Sequence, residues 1–440
     1  MISYGLYLLL IVSYFLHLTA RLPWLGAIRF DLVMVALVFV FSLMERKQET
    51  DRLDHSTKSL WTIIIYIFLT IPFVMWPGSV LKIGLENYLK VVVFYFFTVS
   101  IIRTEGRLKT FILVFVACQV FRFLEPAYLH FQGEYWGSEY PTYWGSGTNY
   151  WVDGKLLNMP RLSGAPSDVI NPNQLAWLVV STIPFLYYLG WQGKPRLKIL
   201  SVAVASVGVY TLMLTGSRGG LVSLIITIIS ILFYGKGKFK RTAIGMIILI
   251  PLGIIIAGQL SSELGTRYLS TVQEGIPGSE SAAGRIRGLK RGVSTLGVRF
   301  LVGHGLGTSV ETNANISGEA VISHNLYLEI AQELGLVGLF LFLMYVRGIY
   351  RNLKNAKSLL IDSVPGNHWM IALTNAVLVW VIMDLIYSLS CFGLNSWEWY
   401  LFGGISVVSL RVARQKQQKQ ELIATVDHAP KQKIFSPAAL

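Results

Sequence analysis

Apolar residues in this chain gather into unbroken runs of about 17 to 22 residues, set apart by short polar stretches. As helix, such a run spans the roughly 30 Å hydrocarbon core of a bilayer. Strands of a membrane barrel would alternate instead of staying continuously apolar, so a barrel is excluded. Twelve runs are legible, at 3–19, 25–44, 60–76, 88–102, 110–124, 174–191, 199–214, 220–235, 242–258, 325–346, 370–389 and 397–411. The pattern predicts an all-α polytopic membrane protein of about 12 transmembrane helices. The first run lacks a positive leader and a clear small-residue cleavage site, which argues against a cleaved signal peptide. No internal repeat of fixed period stands out.

Composition agrees, because 14% charged residues is well below the roughly 25% of soluble chains. A net charge of +14 invites a nucleic-acid partner, but its distribution excludes one. The bases sit in short clusters between apolar runs, where they orient helices. With the N-terminus in the cytoplasm, the inside segments are 45–59, 103–109, 192–198, 236–241, 347–369 and the tail from Arg411; they hold 24 of the 38 Lys and Arg residues. Twelve spans return the C-terminus to the same side. The expected organisation is a helical membrane domain over 1–411 and a disordered cytoplasmic tail over 412–440. Cys118 and Cys391 lie in or beside apolar runs and read as buried thiols.

Two long segments fall on the outer side. Residues 125–173 are crowded with aromatics, among them Tyr135, Trp136, Tyr140, Tyr143, Trp144, Tyr150 and Trp151. They suit either sugar stacking or an interfacial belt. Residues 259–324 turn basic from Arg285 onward. Loops of this length are more often functional than idle.

Three local signals carry chemistry. Thr215-Gly216-Ser217-Arg218-Gly219-Gly220 joins two runs on the outer side, against the orienting charge bias. The Arg218 guanidinium offers a planar fork to phosphate, and the glycines let backbone N–H groups approach the same anion. A snorkelling arginine at a turn is the plainer reading. Gly284-Arg285-Ile286-Arg287-Gly288-Leu289-Lys290-Arg291 packs bases densely enough to receive an anionic headgroup. As a helix it would place Arg285 and Leu289 on one face and Arg287, Lys290 and Arg291 on another. It could equally lie on anionic lipid. Ser323-His324-Asn325-Leu326-Tyr327 leads into the next run, and His324 is the side chain suited to accept a hydroxyl proton near neutral pH. Ser323 and Asn325 also fit a helix start. No Asp-x-Asp pair or His/carboxylate cluster occurs on the outer segments, so neither a metal nor another cofactor is expected.

At these residues the sequence resembles the O-antigen ligase/polymerase superfamily of bacterial membrane glycosyltransferases. The likeness is carried by Arg161 to Asn173, Ser217-Arg218-Gly219 and Gly284-Arg285. It continues through Gly303-His304-Gly305-Leu306-Gly307, His324-Asn325-Leu326-Tyr327 and Glu333-Leu334-Gly335-Leu336-Val337-Gly338. Together these motifs cover roughly 160–340. The chain departs at Leu289, where an aromatic is common, and at His304, where an apolar residue is. The resemblance implies a GT-C-like, metal-independent, inverting enzyme in the bacterial inner membrane with a periplasmic site. By it, Arg218, Arg285 and His324 are catalytic. The substrate-binding set is Arg218, Arg285, Arg287, Arg161, Asn325 and Tyr327. The donor would be an undecaprenyl-diphosphate-linked glycan. The acceptor would be the lipid A core, another lipid-linked repeat or a protein hydroxyl, and moderate outer loops lean towards the first. Membrane lipid is the remaining partner. A lipid or sugar transporter is the rival class; its mid-membrane charges would be Asp31 and Asp384, with Lys90 and Arg122 near run ends.

Overall fold

The computed structural model describes residues 2–45, 54–133, 135–137, 147–152, 155–168, 170–190, 195–234, 268, 280–297, 299–320, 323–363, 368–391 and 393–427. Helices occupy eleven of the twelve apolar runs, and 242–258 lies outside the described residues. Among the described residues, five helical segments are long and apolar enough to cross a membrane: His55–Phe73, Glu105–Gly133, Pro195–Leu214, Leu326–Ile361 and His368–Tyr387. Shorter apolar helices are Ile2–Leu16, Phe30–Met44 and Arg218–Tyr234. Large apolar side chains such as Leu69, Ile199, Phe233 and Phe340 stay exposed on the bundle surface. A water-soluble surface would hide them, whereas lipid accepts them.

Helices Leu85–Ile101, Leu326–Ser363 and Trp397–Asp427 pack closely through small residues. A Cβ on Gly403 would meet the Tyr345 hydroxyl at 2.0 Å, and one on Gly404 would meet Thr98 at 2.7 Å. Such close approach is how helices associate where lipid removes the hydrophobic drive. Trp380 packs against Phe402 beside them, with ring centroids 3.9 Å apart and planes tilted by 32°, and Trp399 and Tyr400 are also buried.

At one end of the bundle, segments assigned to the inside by charge come together. Asp54 caps the helix at His55 and accepts from Asn352 Nδ2 at 2.8 Å. Arg411 Nη1 donates to Val99 O at 2.7 Å, and Lys416 pairs with Glu105 at 2.5 Å. These ties help correct one expectation. The last helix runs from Trp397 to Asp427, whereas the disordered tail was expected from 412. The Ala-, Gln-, Lys- and Arg-rich stretch after Arg411 is built of good helix formers, and its first turns are anchored. Residues 428–440 lie outside the described residues.

At the other end, the segment read as an aromatic loop contains an antiparallel hairpin, Gly147–Val152 with Lys155–Pro160. The Asp153-Gly154 pair between the strands is the sequence signal for it. Tyr140, Tyr143 and Trp144 lie outside the described residues.

Helix Leu326–Ser363 breaks at Gly335, which adopts φ 70° and ψ −176°. The freed backbone groups find partners in the glycine stretch. His304 N donates to Gln332 O at 2.8 Å, Gly305 N to Glu333 O at 2.9 Å, and Phe300 O accepts from Leu336 N at 2.7 Å. Tyr66 covers Leu334 O at 2.9 Å. Unpaired backbone groups at this depth would be costly, which is why break and loop occur together. Gly335→Ala should cost about 1–3 kcal/mol through a backbone region that essentially only glycine adopts. Its Cβ would also lie 2.1 Å from Leu301 O. An unchanged thermal midpoint in detergent would refute this.

Candidate functional site

Arg161 is buried against the turn that carries Arg218. Its Nε donates to Thr215 O at 2.7 Å and its Nη2 to Asn173 Oδ1 at 2.9 Å. The same Asn173 oxygen accepts from Ser217 Oγ at 3.0 Å, and the Asn173 carbonyl accepts from the Tyr387 hydroxyl at 3.0 Å. Asn171 builds the capping box that starts helix Pro172–Phe185, which fixes Asn173 in its first turn. Gly216 takes φ 57°, and Ser217 Oγ accepts from Gly220 N at 3.2 Å, so the next helix begins at Arg218. The approach to this segment is pinned by a buried ion pair, Arg122 on Asp168 at 2.6 and 3.0 Å, with His17 at 3.1 Å.

Arg285 arrives on helix Glu280–Leu296. That helix seats Gly292 against Leu328, and Thr295 Oγ1 accepts from Gln332 Nε2 at 2.7 Å. Its inner face therefore carries Arg285, Gly288, Gly292 and Thr295. Leu289, expected beside Arg285, is exposed on the outer side, because the packed face is set by Gly292 and Thr295. Arg287 and Lys290 are exposed as well, and Arg291 pairs with Glu319 at 2.7 Å.

His324 lies between two anchored neighbours. Ser323 Oγ donates to Gln332 Oε1 at 2.5 Å. Asn325 caps Leu328 N at 3.0 Å and donates to Leu389 O at 3.0 Å. Leu326 N donates to Ser388 O at 2.9 Å, and the Tyr327 hydroxyl to Leu385 O at 2.6 Å. The segment 385–390 thus supports His324 on one side. On the other it approaches the Arg218 turn, where a Cβ on Gly219 would touch Ser390 Oγ at 3.4 Å.

Electrostatics join the three groups. Burial, and then the charge of Arg285, push the Arg218 guanidinium below its ordinary pKa. The same two causes, in the same order, push the His324 imidazole below its ordinary value. Arg218 is moreover the first residue of its helix, where the macrodipole disfavours a cation by about 0.3–1 kcal/mol. Two mutually repelling guanidiniums, one against a helix dipole, form a place that an anion would stabilise. A neutral imidazole beside them can accept a proton.

Of the sequence-derived residues, Arg285 thus acts through its charge on both Arg218 and His324. Arg161, Asn325 and Tyr327 are engaged in bonds that hold their turns. Arg287 is on the outward side of its helix. His304, the second histidine, is buried, stacked on Trp76 and bonded through Nδ1 to Gln332 O at 3.0 Å. Glu329 accepts from Gly393 N at 2.8 Å, and Glu333 from Gly307 N at 2.8 Å, so both carboxylates brace loops. Among the described residues, no three His, Cys, Asp or Glu side chains gather as metal ligands. The charges a transporter would use are held locally. Asp31 accepts from Ser13 at 2.6 Å, Asp384 from Trp177 Nε1 at 2.7 Å, and Lys90 pairs with Glu86 at 2.6 Å on the surface.

Asn173 and Tyr387 were not singled out in the sequence. Asn173 ends the Arg161–Asn173 stretch, where nothing in the sequence marks its side chain, and Tyr387 lies within an apolar run. Asn173→Ala would leave Arg161 and Ser217 short of an acceptor, at about 1.5–3 kcal/mol for a bond to a charged group. The variant should melt earlier in detergent and transfer poorly. Asn173→Asp, which keeps the acceptor oxygen, should recover the midpoint.

The model of the O-antigen ligase family matches residues 202–343. No curated protein matches the chain. The matched stretch contains Arg218, Arg285 and His324, and the match supports membership of the O-antigen ligase superfamily.

Proposed function

We propose that this protein transfers a preassembled glycan from undecaprenyl diphosphate to an acceptor hydroxyl at the periplasmic face of the bacterial inner membrane. The observation that carries the reading is that the charge of Arg285 acts on both Arg218 and His324, within the stretch matched by the O-antigen ligase family model. Arg218 and Arg285 would hold the donor diphosphate, where negative charge concentrates as the glycosidic bond breaks. His324 takes the proton of the acceptor hydroxyl, whose oxygen bonds to the anomeric carbon from the opposite side. Configuration inverts, and undecaprenyl diphosphate departs. The two guanidiniums supply the positive charge the leaving group needs, so no metal enters the scheme. The full arrangement is a GT-C-like bundle of 12 spans with both termini cytoplasmic.

The preferred acceptor is the lipid A core. A strain lacking the protein separates the superfamily's reactions by where glycan accumulates. Long chains retained on the carrier lipid support the ligase reading, whereas single repeats on the carrier make it a polymerase. Loss of glycan from proteins with both lipid pools normal makes it a protein O-oligosaccharyltransferase. Purified protein that moves no lipid-linked glycan to any of these acceptors would overturn the proposal.

A further inference from the structure

Helix Glu280–Leu296 has three distinct sides. One carries Arg285 and packs on the helix from Leu326. A second is apolar and, among the described residues, unpartnered: Ile286, Leu289 and Val293, at i, i+3 and i+7, are 56%, 46% and 57% exposed. Between them and the packed face, Arg287 and Lys290 are exposed too. A helix facing water would not present three large aliphatic groups in one line. Nor does the stripe end with the helix. Phe300 and Leu301 continue it, also exposed, and their carbonyls accept from Leu336 N and Val337 N. Val337, Phe340 and Leu343 then carry the exposed apolar surface down a helix long enough to cross a membrane. The stripe is thus the upper edge of the surface offered to lipid, bordered by two bases.

We propose that this helix is a lipid-docking element. Ile286, Leu289 and Val293 enter the acyl boundary of the outer leaflet, and Arg287 and Lys290 bind the headgroups of anionic phospholipid. A helix with an apolar stripe flanked by bases lies in the interface plane in this way. A protein partner fits less well, since lysine is depleted from protein interfaces. Docking would set the depth of Arg285, one residue from Ile286 on the same helix. That last consequence rests on the glycan-transfer reading; the docking itself does not.

The test therefore needs no turnover. Single cysteines at Val293 and Ser294, in a Cys391→Ser protein whose Cys118 is buried, carry nitroxide labels. The protein is reconstituted in vesicles of phosphatidylcholine alone or with phosphatidylglycerol. With phosphatidylglycerol, the label at 293 should relax with oxygen and be shielded from a water-soluble nickel chelate. The label at 294 should stay open to the chelate. Each base contributes about fivefold towards an anionic surface, so Arg287→Gln with Lys290→Gln should weaken the shielding about 25-fold. Chelate access at 293 in phosphatidylglycerol vesicles would overturn the proposal. So would shielding that persists equally in phosphatidylcholine and in the double variant, which would mean that a second copy or another protein segment covers the stripe.

Discussion

Replacing His324 by alanine is expected to lower glycan transfer by about 100- to 10,000-fold, the span of a lost general base. The variant should still reach the membrane in normal amount. His324 precedes the helix at Leu326, and Ser323, Asn325 and Leu326 hold this entrance with bonds of their own. The expected pH behaviour sharpens the test. Burial and the Arg285 charge hold the imidazole below the ordinary histidine value. The neutral, proton-accepting form therefore persists at a pH where a free histidine, near 6.5, is half protonated. The acid limb of kcat/KM should fall below that value, with activity lost as pH drops through it. Arg285→Gln removes one of the two causes, so its residual activity should show the limb moved upward. A wild-type limb above 6.5, or His324→Ala with full transfer, would take the proton-accepting role from this residue.

The larger features were readable because they follow from period and charge. Continuous apolar runs leave few alternatives to helices, and eleven of the twelve are helical. Arg218, Arg285 and His324 were legible as candidates because each places a charged or proton-accepting group on the outer side, against the apolar and charge pattern of the chain. What escaped depends on pairing between distant segments. Gly335 lies in an apolar run that reads as unbroken helix. Only the carbonyls it frees towards His304 and Gly305 show why the chain turns there. Arg285 and Leu289 share a face on a bare helical wheel, yet Leu328 and Gln332 select the face with Gly292 and Thr295. Arg161 carries the same charge as Arg218, but Asn173, twelve residues away, holds it to the turn. The last helix passes 411 because Glu105 receives Lys416.

Charge-preserving Arg218→Lys is expected to lower transfer by about 10- to 100-fold, the value of one lost charge-assisted hydrogen bond. The prediction turns on shape. A guanidinium grips two diphosphate oxygens in one plane, whereas an ammonium is a compact point charge that cannot match the fork. An arginine that merely anchors the turn at the membrane surface would be replaced by lysine without loss, since both snorkel. Its surroundings favour the first role. The turn is held by bonds among Asn173, Ser217 and Arg161. Arg285 lies near enough to repel Arg218, and the helix dipole disfavours it where it stands. A bound anion would offset both costs. If the diphosphate is held more tightly as it departs, the loss should appear in the rate at saturating donor, with the donor KM moving less. Arg218→Gln, which also removes the charge, should fall further. Transfer at the wild-type rate in the lysine variant would remove Arg218 from the mechanism and leave the diphosphate to Arg285 alone.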